Sequence, residues 1–381
     1  MDRSLFHPIK EDLNKKMVLL SGPRQCGKTY LSEHLVESYD YLNFDVPADR
    51  MRLLKGSWAV DRDLVIFDEL HKMKKWKSWL KGVVDAQTVR PKILVTGSAK
   101  MNTYKKVGDS LAGRYFSYRL YPFDPKEIVQ QEKKGKISVG EMDSVVDRLL
   151  NLSGFPEPYL SGSVGYYQRW MRTHLDVILK QDILETESVR SIKQLETLAL
   201  LLTERVGSTL SYNSLREDLY TDDKSVKRWV DVLENSYVVF RIYPYYQKSM
   251  IGGLKKAPKI YFYDYCRVEN MAHRLENLVA LSLLKEIHYR QDVLGQVYDL
   301  HFLRNKQEKE VDFLITKNKK PHVMIEVKQG DDSSSGSFSA FDKYFPGISK
   351  IQLVKNLTKP RKTRQGVLIT PLGLWLSKMD F

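Results

Sequence analysis

The sequence predicts an α/β fold with a parallel sheet over its N-terminal third, and three observations lead there. Strand-like apolar runs (Met17–Leu20, Tyr41–Phe44, Leu64–Phe67, Ile93–Val95 and Tyr115–Leu120) alternate with helical patterns. A glycine-bracketed stretch, Gly22-Pro23-Arg24-Gln25-Cys26-Gly27-Lys28-Thr29, stands between the first run and the helical pattern that opens at Tyr30. The third run ends in two acids, Asp68 and Glu69.

The glycine-bracketed stretch has the spacing G-x-x-x-x-G-K-T in the setting that spacing requires, a strand before and a helix after. Its glycines let the backbone wrap a phosphate without a Cβ in the way. The amides of Gln25 to Thr29 and the dipole of the next helix then supply positive potential. Residues Gly22 to Tyr30 are thus expected to cradle a nucleoside triphosphate, ATP. Lys28 reaches its β- and γ-phosphates, and the Thr29 hydroxyl holds Mg²⁺. Asp68, at a strand's C-terminal end, is placed to hold the same Mg²⁺ through water. Glu69 beside it is placed to polarise an attacking water, which hydrolysis needs and phosphoryl transfer by a kinase does not.

A whole strand, Tyr41–Phe44, falls in the chain between the phosphate loop and Asp68. An inserted strand of this kind separates the two motif-bearing strands and leaves room for a polar residue from a neighbour. Ser98, at the end of Ile93-Leu-Val-Thr-Gly-Ser98, is expected to sense the γ-phosphate, with Thr96 as the other candidate. Arg114, in Leu111-Ala-Gly-Arg114, is expected to stabilise phosphoryl charge in its own subunit or a neighbour's. A helix over His71–Val84 is predicted to bury Met73, Trp76, Leu80 and Val83. Lys72, Lys74, Lys75 and Lys81 then form either a solvated face or a basic element facing a polyanion.

The chain of 381 residues is long enough for two or three domains. Its formal charge of +14 suits a protein that meets nucleic acid, an anionic membrane being the weaker alternative. Two cysteines, Cys26 and Cys266, make neither a disulfide framework nor a zinc pattern. The expectation is a reducing, cytoplasmic setting, with no membrane segment.

Gly22–Thr29, the run Asp68-Glu69-Leu-His-Lys-Met with Trp76, Thr96-Gly-Ser98 and Leu111-Ala-Gly-Arg114 resemble a bacterial and archaeal family. In it an AAA-type ATPase is joined to a C-terminal domain of unknown function. The resemblance implies a P-loop of the class with an added strand and a catalytic glutamate. It extends over nearly the whole chain, and the turn-rich stretch Asn151–Pro158 is part of it.

Three parts are expected: residues 1–125, 140–265 and 266–381, with an exposed linker over Gln131–Gly140. In the middle part, helical patterns over Ile192–Val206, Tyr212–Leu219 and Asp223–Leu233 follow a basic helical region around Tyr166–Leu184. Ser211 and Thr221 are the expected N-caps of the second and third. With the β-like runs Tyr237–Tyr243 and Lys259–Tyr263 as a hairpin, this is a winged-helix outline. Val226, Val230 and Leu233 would be buried, leaving Lys224, Lys227 and Arg228 for DNA.

The last part reads helix–β–β–β–helix–β. Val311, Phe313 and Ile315 share one strand face, as do Val323, Ile325 and Val327. A hairpin symmetric about Lys319 sets Asp312 opposite Glu326 and Glu310 opposite Lys328. Two facing carboxylates call for a divalent cation, a second Mg²⁺ or Mn²⁺, and a lysine alongside can orient or deprotonate a water. Asp312 with Glu326-Val-Lys328 resembles the core of PD-(D/E)XK nucleases, with Glu276 at the matching first-helix position. The same residues also suit a Glu310–Lys328 salt bridge on a domain that merely binds DNA.

The expectation is a Mg²⁺-dependent ATPase that couples hydrolysis to DNA binding or processing, with oligomerisation open. Its alternatives are an ATP-gated switch for a protein partner, with the nuclease-like part inert, and a DNA-binding regulator that only senses nucleotide.

Overall fold

The computed structural model describes residues 3–86, 91–98, 111–132, 138–183, 192–246, 257–330, 333, 335–379 and 381. The chain forms two compact units. Unit 1 comprises Met1–Pro122, His174–Arg190 and Asn235–Tyr237; unit 2 comprises Phe123–Thr173, Ser191–Glu234 and Val238–Phe381.

Unit 1 is built from α1 (Phe6–Asp12), β1 (Met17–Ser21), α2 (Lys28–Glu33), β2 (Tyr39–Asn43), α3 (Pro47–Lys55), β3 (Leu64–Asp68), α4 (Trp76–Ala86), β4 (Lys92–Gly97) and β5 (Tyr115–Arg119). The strands form one parallel sheet in the order β2-β3-β4-β1-β5. β1, β3 and most of β4 are buried, as their unbroken Val/Leu/Ile runs require of a sheet covered on both faces. The strand that separates β1 from β3 is β4, whereas Tyr41 lies on β2 at the sheet edge. Chain order misplaced the insertion, because the crossover after β3 returns between the two older strands. The helix expected over His71–Val84 begins later: a single 3₁₀ turn, Leu70–Lys72, precedes it, and Lys75 takes a left-handed φ of 59°. Met73, Trp76 and Leu80 still bury against Phe67 and Val95, and Val83 packs at their margin.

In unit 2, α5 (Pro125–Glu132), α6 (Val139–Leu152), α7 (Pro156–Ser161) and α8 (Val164–Val177, whose last turn belongs to unit 1) come first. The expected linker is shorter than Gln131–Gly140. Gln131 lies in the last turn of α5, and Ser138 and Glu141 close a reciprocal capping box at the start of α6, while 133–137 lie outside the described residues. Of the basic helical region, Leu184 also lies outside them.

Three helices, α9 (Ile192–Thr203), α10 (Tyr212–Asp218) and α11 (Asp223–Asn235), follow in the expected succession. Ser211 caps α10 by accepting from Ser214 N at 3.3 Å. The α11 cap is Asp222, which accepts from Lys224 N and Ser225 N, rather than Thr221; a carboxylate at that place also meets the helix dipole.

β6 (Val239–Pro244) and β7 (Lys259–Phe262) pair antiparallel, but they are no free wing. β6 runs parallel to β8 (Tyr298–Arg304), so the ribbon is the margin of an eight-stranded sheet. The rest of that sheet is β9 (Glu310–Lys317), β10 (Lys320–Lys328), β11 (Ser349–Val354), β12 (Arg361–Lys362) and β13 (Val367–Pro371), in the order β12-β13-β11-β10-β9-β8-β6-β7. α12 (Met271–Asp292) precedes β8, a 3₁₀ turn (Phe338–Phe341) stands where a helix was expected, and α13 (Leu372–Leu376) closes the chain.

β9 and β10 are joined by a two-residue turn, Asn318-Lys319, with φ of 51° and 64°. Two positive values are those of a type I′ turn, whose twist matches that of the strands it joins. The pairing begins one residue away from symmetry about Lys319 (Lys320 opposite Lys317) and is corrected by a bulge between Pro321 and Val323. Beyond it Val323 faces Ile315 and Ile325 faces Phe313, a register that, carried one residue further, sets Glu326 opposite Asp312.

Candidate nucleotide site and a buried acidic cluster

The phosphate loop leaves β1 at Ser21 and enters α2 at Lys28. Its two glycines are needed for different reasons. A Cβ on Gly22 would stand 2.2 Å from the Leu120 carbonyl oxygen, and Gly27 has a φ of 94°. Pro23 is buried, while Gln25 (φ 61°), Thr29 and Tyr30 are exposed, Tyr30 stacking on His34. The Lys28 ammonium folds back into the loop and donates to the carbonyls of Gly22 (2.9 Å) and Pro23 (2.8 Å). Those are the neutral acceptors that a phosphate oxygen would outcompete.

Residues far away in the chain brace the loop. Arg3 donates to the carbonyls of Cys26 (2.7 Å) and Tyr121, His174 Nε2 lies 3.3 Å from the Arg24 carbonyl, and Tyr237 donates to Ser21 Oγ at 2.9 Å. Cys26 is a free thiol within the fold; burial pushes its pKa up, so it stays protonated.

The acids converge from neighbouring strands. Asp68, at the end of β3, accepts from the Thr96 hydroxyl of β4, from the Tyr41 hydroxyl of β2 and from Glu69 N at 3.0 Å. The Thr29 hydroxyl lies near the same phenol. Thr29 and Asp68, the two residues expected at one cation, are therefore both neighbours of the Tyr41 phenol. Nothing in the sequence marked Tyr41 for this place.

Glu69, at a left-handed φ of 53°, turns its Oε2 to the Ser98 hydroxyl at 3.2 Å and lies 3.4 Å from His71 Nδ1. Ser98 thus stands against the second acid and Thr96 against the first. Burial, with Lys72 and Lys28 nearby, pushes His71 down to about 4, so it is neutral at pH 7. Neither ring nitrogen makes a hydrogen bond of acceptable angle, the 3.4 Å approach to Glu69 included.

Arg114 is paired with Asp85 through Nε (2.7 Å) and Nη2 (3.2 Å), on the surface. Its approach to a phosphate would require that pair to open. Lys72 is committed to Asp45 at 2.8 Å, while Lys74 and Lys75 are exposed.

In unit 2, Asp312 Oδ2 accepts from Val327 N at 2.9 Å, and Glu326 stands close to the Asp312 carboxyl. Burial and the facing Asp312 push Glu326 well up, so the pair holds a proton at neutral pH. Lys328 Nζ is 4.0 Å from Glu326, and Ser335 donates to Glu326 at 3.2 Å.

In place of the alternative Glu310–Lys328 bridge, Glu310 enters one that the sequence reading missed. Lys259 of β7, 1% exposed, places its ammonium 2.5 Å from Glu310 and 3.3 Å from Glu276. Tyr261 donates to the same Glu276 oxygen at 2.7 Å. Glu276, expected beside a metal, is thus held by a lysine and a phenol. Among the described residues no group of three or more His, Cys, Asp or Glu is disposed to hold a metal ion.

On α11, Val226, Trp229, Val230 and Leu233 are buried, and Lys224, Lys227 and Arg228 share its exposed face.

Residues 14–129 match the family model of an AAA domain. Residues 144–276 and 272–375 match two models of domains of unknown function, DUF8612 and DUF4143. Among curated proteins the chain is similar to uncharacterized protein MJ1544 of Methanocaldococcus jannaschii, at 22% identity over 88% of this chain and 81% of that protein. It is also similar to uncharacterized protein Rv2008c of Mycobacterium tuberculosis (25%, covering 82% and 70%) and to an uncharacterized protein of Haemophilus influenzae (24%, 78% and 79%). The Bacillus subtilis DNA clamp loader delta protein (YqeN) aligns over 60% of this chain and 87% of its own, at 12% identity and a TM-score of 0.26, too slight a likeness to carry an argument. An α/β fold with a parallel N-terminal sheet, over residues like those of AAA domains, is common ground between geometry and comparison. No helix among the described residues is long and apolar enough to cross a membrane.

Proposed function

We propose that unit 1 binds ATP with Mg²⁺ and hydrolyses it, and that this governs how unit 2 engages DNA. The observation that carries the reading is Asp68 held by the Tyr41 phenol, with Thr29 near that phenol, beside a loop whose lysine rests on carbonyls. Lys28 exchanges those carbonyls for β- and γ-phosphate oxygens. Thr29 and Asp68 would hold the Mg²⁺, which supplies charge neutralisation on the phosphates. Glu69 takes the proton of an attacking water once Ser98 turns from the carboxylate to the γ-phosphate. In unit 2, Lys224, Lys227 and Arg228 offer contacts to DNA phosphates. Asp312 and Glu326, with Lys328, would hold a second Mg²⁺ or Mn²⁺ in the manner of PD-(D/E)XK nucleases.

A second reading has its own support. With Lys259 already neutralising Glu276 and Glu310, the acidic cluster is satisfied without metal, which favours an ATP-gated switch whose nuclease-like part is inert.

Two measurements test these readings. Lys28→Ala should abolish ATP binding, while Glu69→Gln keeps it and lowers turnover by at least about 100-fold; undiminished affinity in Lys28→Ala sinks the proposal. Plasmid incubated with Mn²⁺ separates the two versions: nicking that Glu326→Ala removes supports the nuclease, and intact plasmid the switch.

A further inference from the structure

Unit 1 takes in the three residues Asn235–Tyr237, between the end of α11 and the start of β6. Tyr237 is the buried tip of this excursion, 2% exposed, and its backbone φ is 56°. An aromatic residue gains nothing from left-handed backbone, where its Cβ crowds the next carbonyl, so the surroundings must hold it there. One holding contact is the bond from its hydroxyl to Ser21 Oγ, on the residue just before Gly22. The next residue, Val238, donates to Leu233 O in α11, and its carbonyl accepts from Tyr263 N. One side chain and one peptide thus stand between Ser21 and the chain junction of α11 and β6.

We propose that Tyr237 is the positioning residue that both fixes the entrance of the phosphate loop and reports its occupancy to the α11–β6 junction. The proposal rests on the nucleotide reading above. An empty loop, with Lys28 on the carbonyls of Gly22 and Pro23, and a loop filled by a triphosphate differ in what pulls on Gly22, the residue bonded to Ser21. Tyr237 converts that difference into strain or its relief at φ 56°.

The test uses the full-length protein, with ATP affinity and backbone hydrogen exchange over residues 235–240 measured with and without a slowly hydrolysed ATP analogue and Mg²⁺. Tyr237→Phe keeps the ring and removes the bond, and Ser21→Ala removes it from the other side. Each single variant should weaken ATP binding about fivefold, the worth of one hydrogen bond, with turnover at saturation unchanged. Each should also lose the nucleotide-dependent exchange change expected in the wild type, and the double variant should lose no more than either single one. A merely structural role would lower the melting temperature without abolishing the exchange response. Wild-type affinity, or a wild-type exchange response, in both single variants overturns the proposal, as does a wild type that binds ATP with no exchange change at 235–240. A wild type that does not bind ATP at all overturns the nucleotide reading itself.

Discussion

Replacing Lys259 with methionine removes an ammonium from the interior while keeping most of the side chain's length. In the wild type that ammonium lies 2.5 Å from Glu310 and 3.3 Å from Glu276, over the Phe302 ring. Its folded pKa is raised above 10.5 by those carboxylates and Asp312 against the opposing effect of burial. The stabilisation is therefore fully present at neutral pH and is lost only in strong alkali. Without it, Glu276 faces Asp312 with no cation between them, and removing one member of a buried pair costs about 3–5 kcal/mol. For a body of this size that is a fall of roughly 6–20 °C in melting temperature.

The pH dependence identifies the cause. Glu276 is already raised to about 7 by burial and Asp312, and the substitution pushes it further up. The folded variant then holds protons that the unfolded chain releases, so its stability falls as pH rises. Urea unfolding at pH 5 and pH 8 should show a gap between wild type and Lys259→Met that widens toward pH 8. Coincident midpoints at pH 8, or a gap equal at both values, would refute the reasoning. Glu276→Gln in the same background should narrow it.

Gly22→Ala places a methyl 2.2 Å from a backbone oxygen, so the loop must move; ATP binding measured by calorimetry should be lost while β1 remains intact by hydrogen exchange. His71, held near pH 4 against 6.5 in the unfolded chain, makes the protein lose about 3 kcal/mol as pH falls from 6.5 to 4, because the unfolded state takes the proton first. His71→Asn should flatten that slope in acid-unfolding curves. If Asp312 and Glu326 hold a metal, the raised Glu326 releases its proton on binding, so Mn²⁺ affinity should rise with pH between 6 and 8, and Asp312→Asn should abolish it. If α11 lies against DNA, replacing Lys224, Lys227 or Arg228 by alanine should lower the slope of log affinity against log salt by about 0.9 per phosphate contact.

How much was legible follows from how far each feature reaches along the chain. The phosphate loop and Asp68-Glu69 are local patterns with a fixed strand setting, and the parallel sheet follows from the alternation around them. The facing of Asp312 and Glu326 was readable from alternation alone, though for an incomplete reason. A turn centred between Asn318 and Lys319 puts the register off by one, and the bulge at His322 restores it. A symmetric hairpin contains no hint of two such compensating steps. Lys259 was unreadable because its partners, Glu276 and Glu310, lie 17 and more residues away on other elements, and the mildly apolar run around it marks only a strand. Tyr41, Arg3, His174 and Tyr237 escaped for the same reason: each meets a distant carboxylate, carbonyl or hydroxyl with only the tip of its side chain, which leaves no periodicity behind. The ribbon was misjudged because pairing of β6 with β8 depends on the sheet as a whole.

During synthesis, the first 122 residues emerge from the ribosome well before their companions at 174–190 and 235–237. Ser21 must wait until residue 237 has cleared the exit tunnel before its tyrosine arrives, so a nascent chain paused within α9 exposes a phosphate loop whose entrance is still unfastened. The fastening therefore arrives late, after most of unit 2's helices have been made, and a fragment cut at the apparent edge of the N-terminal sheet carries the motif without it.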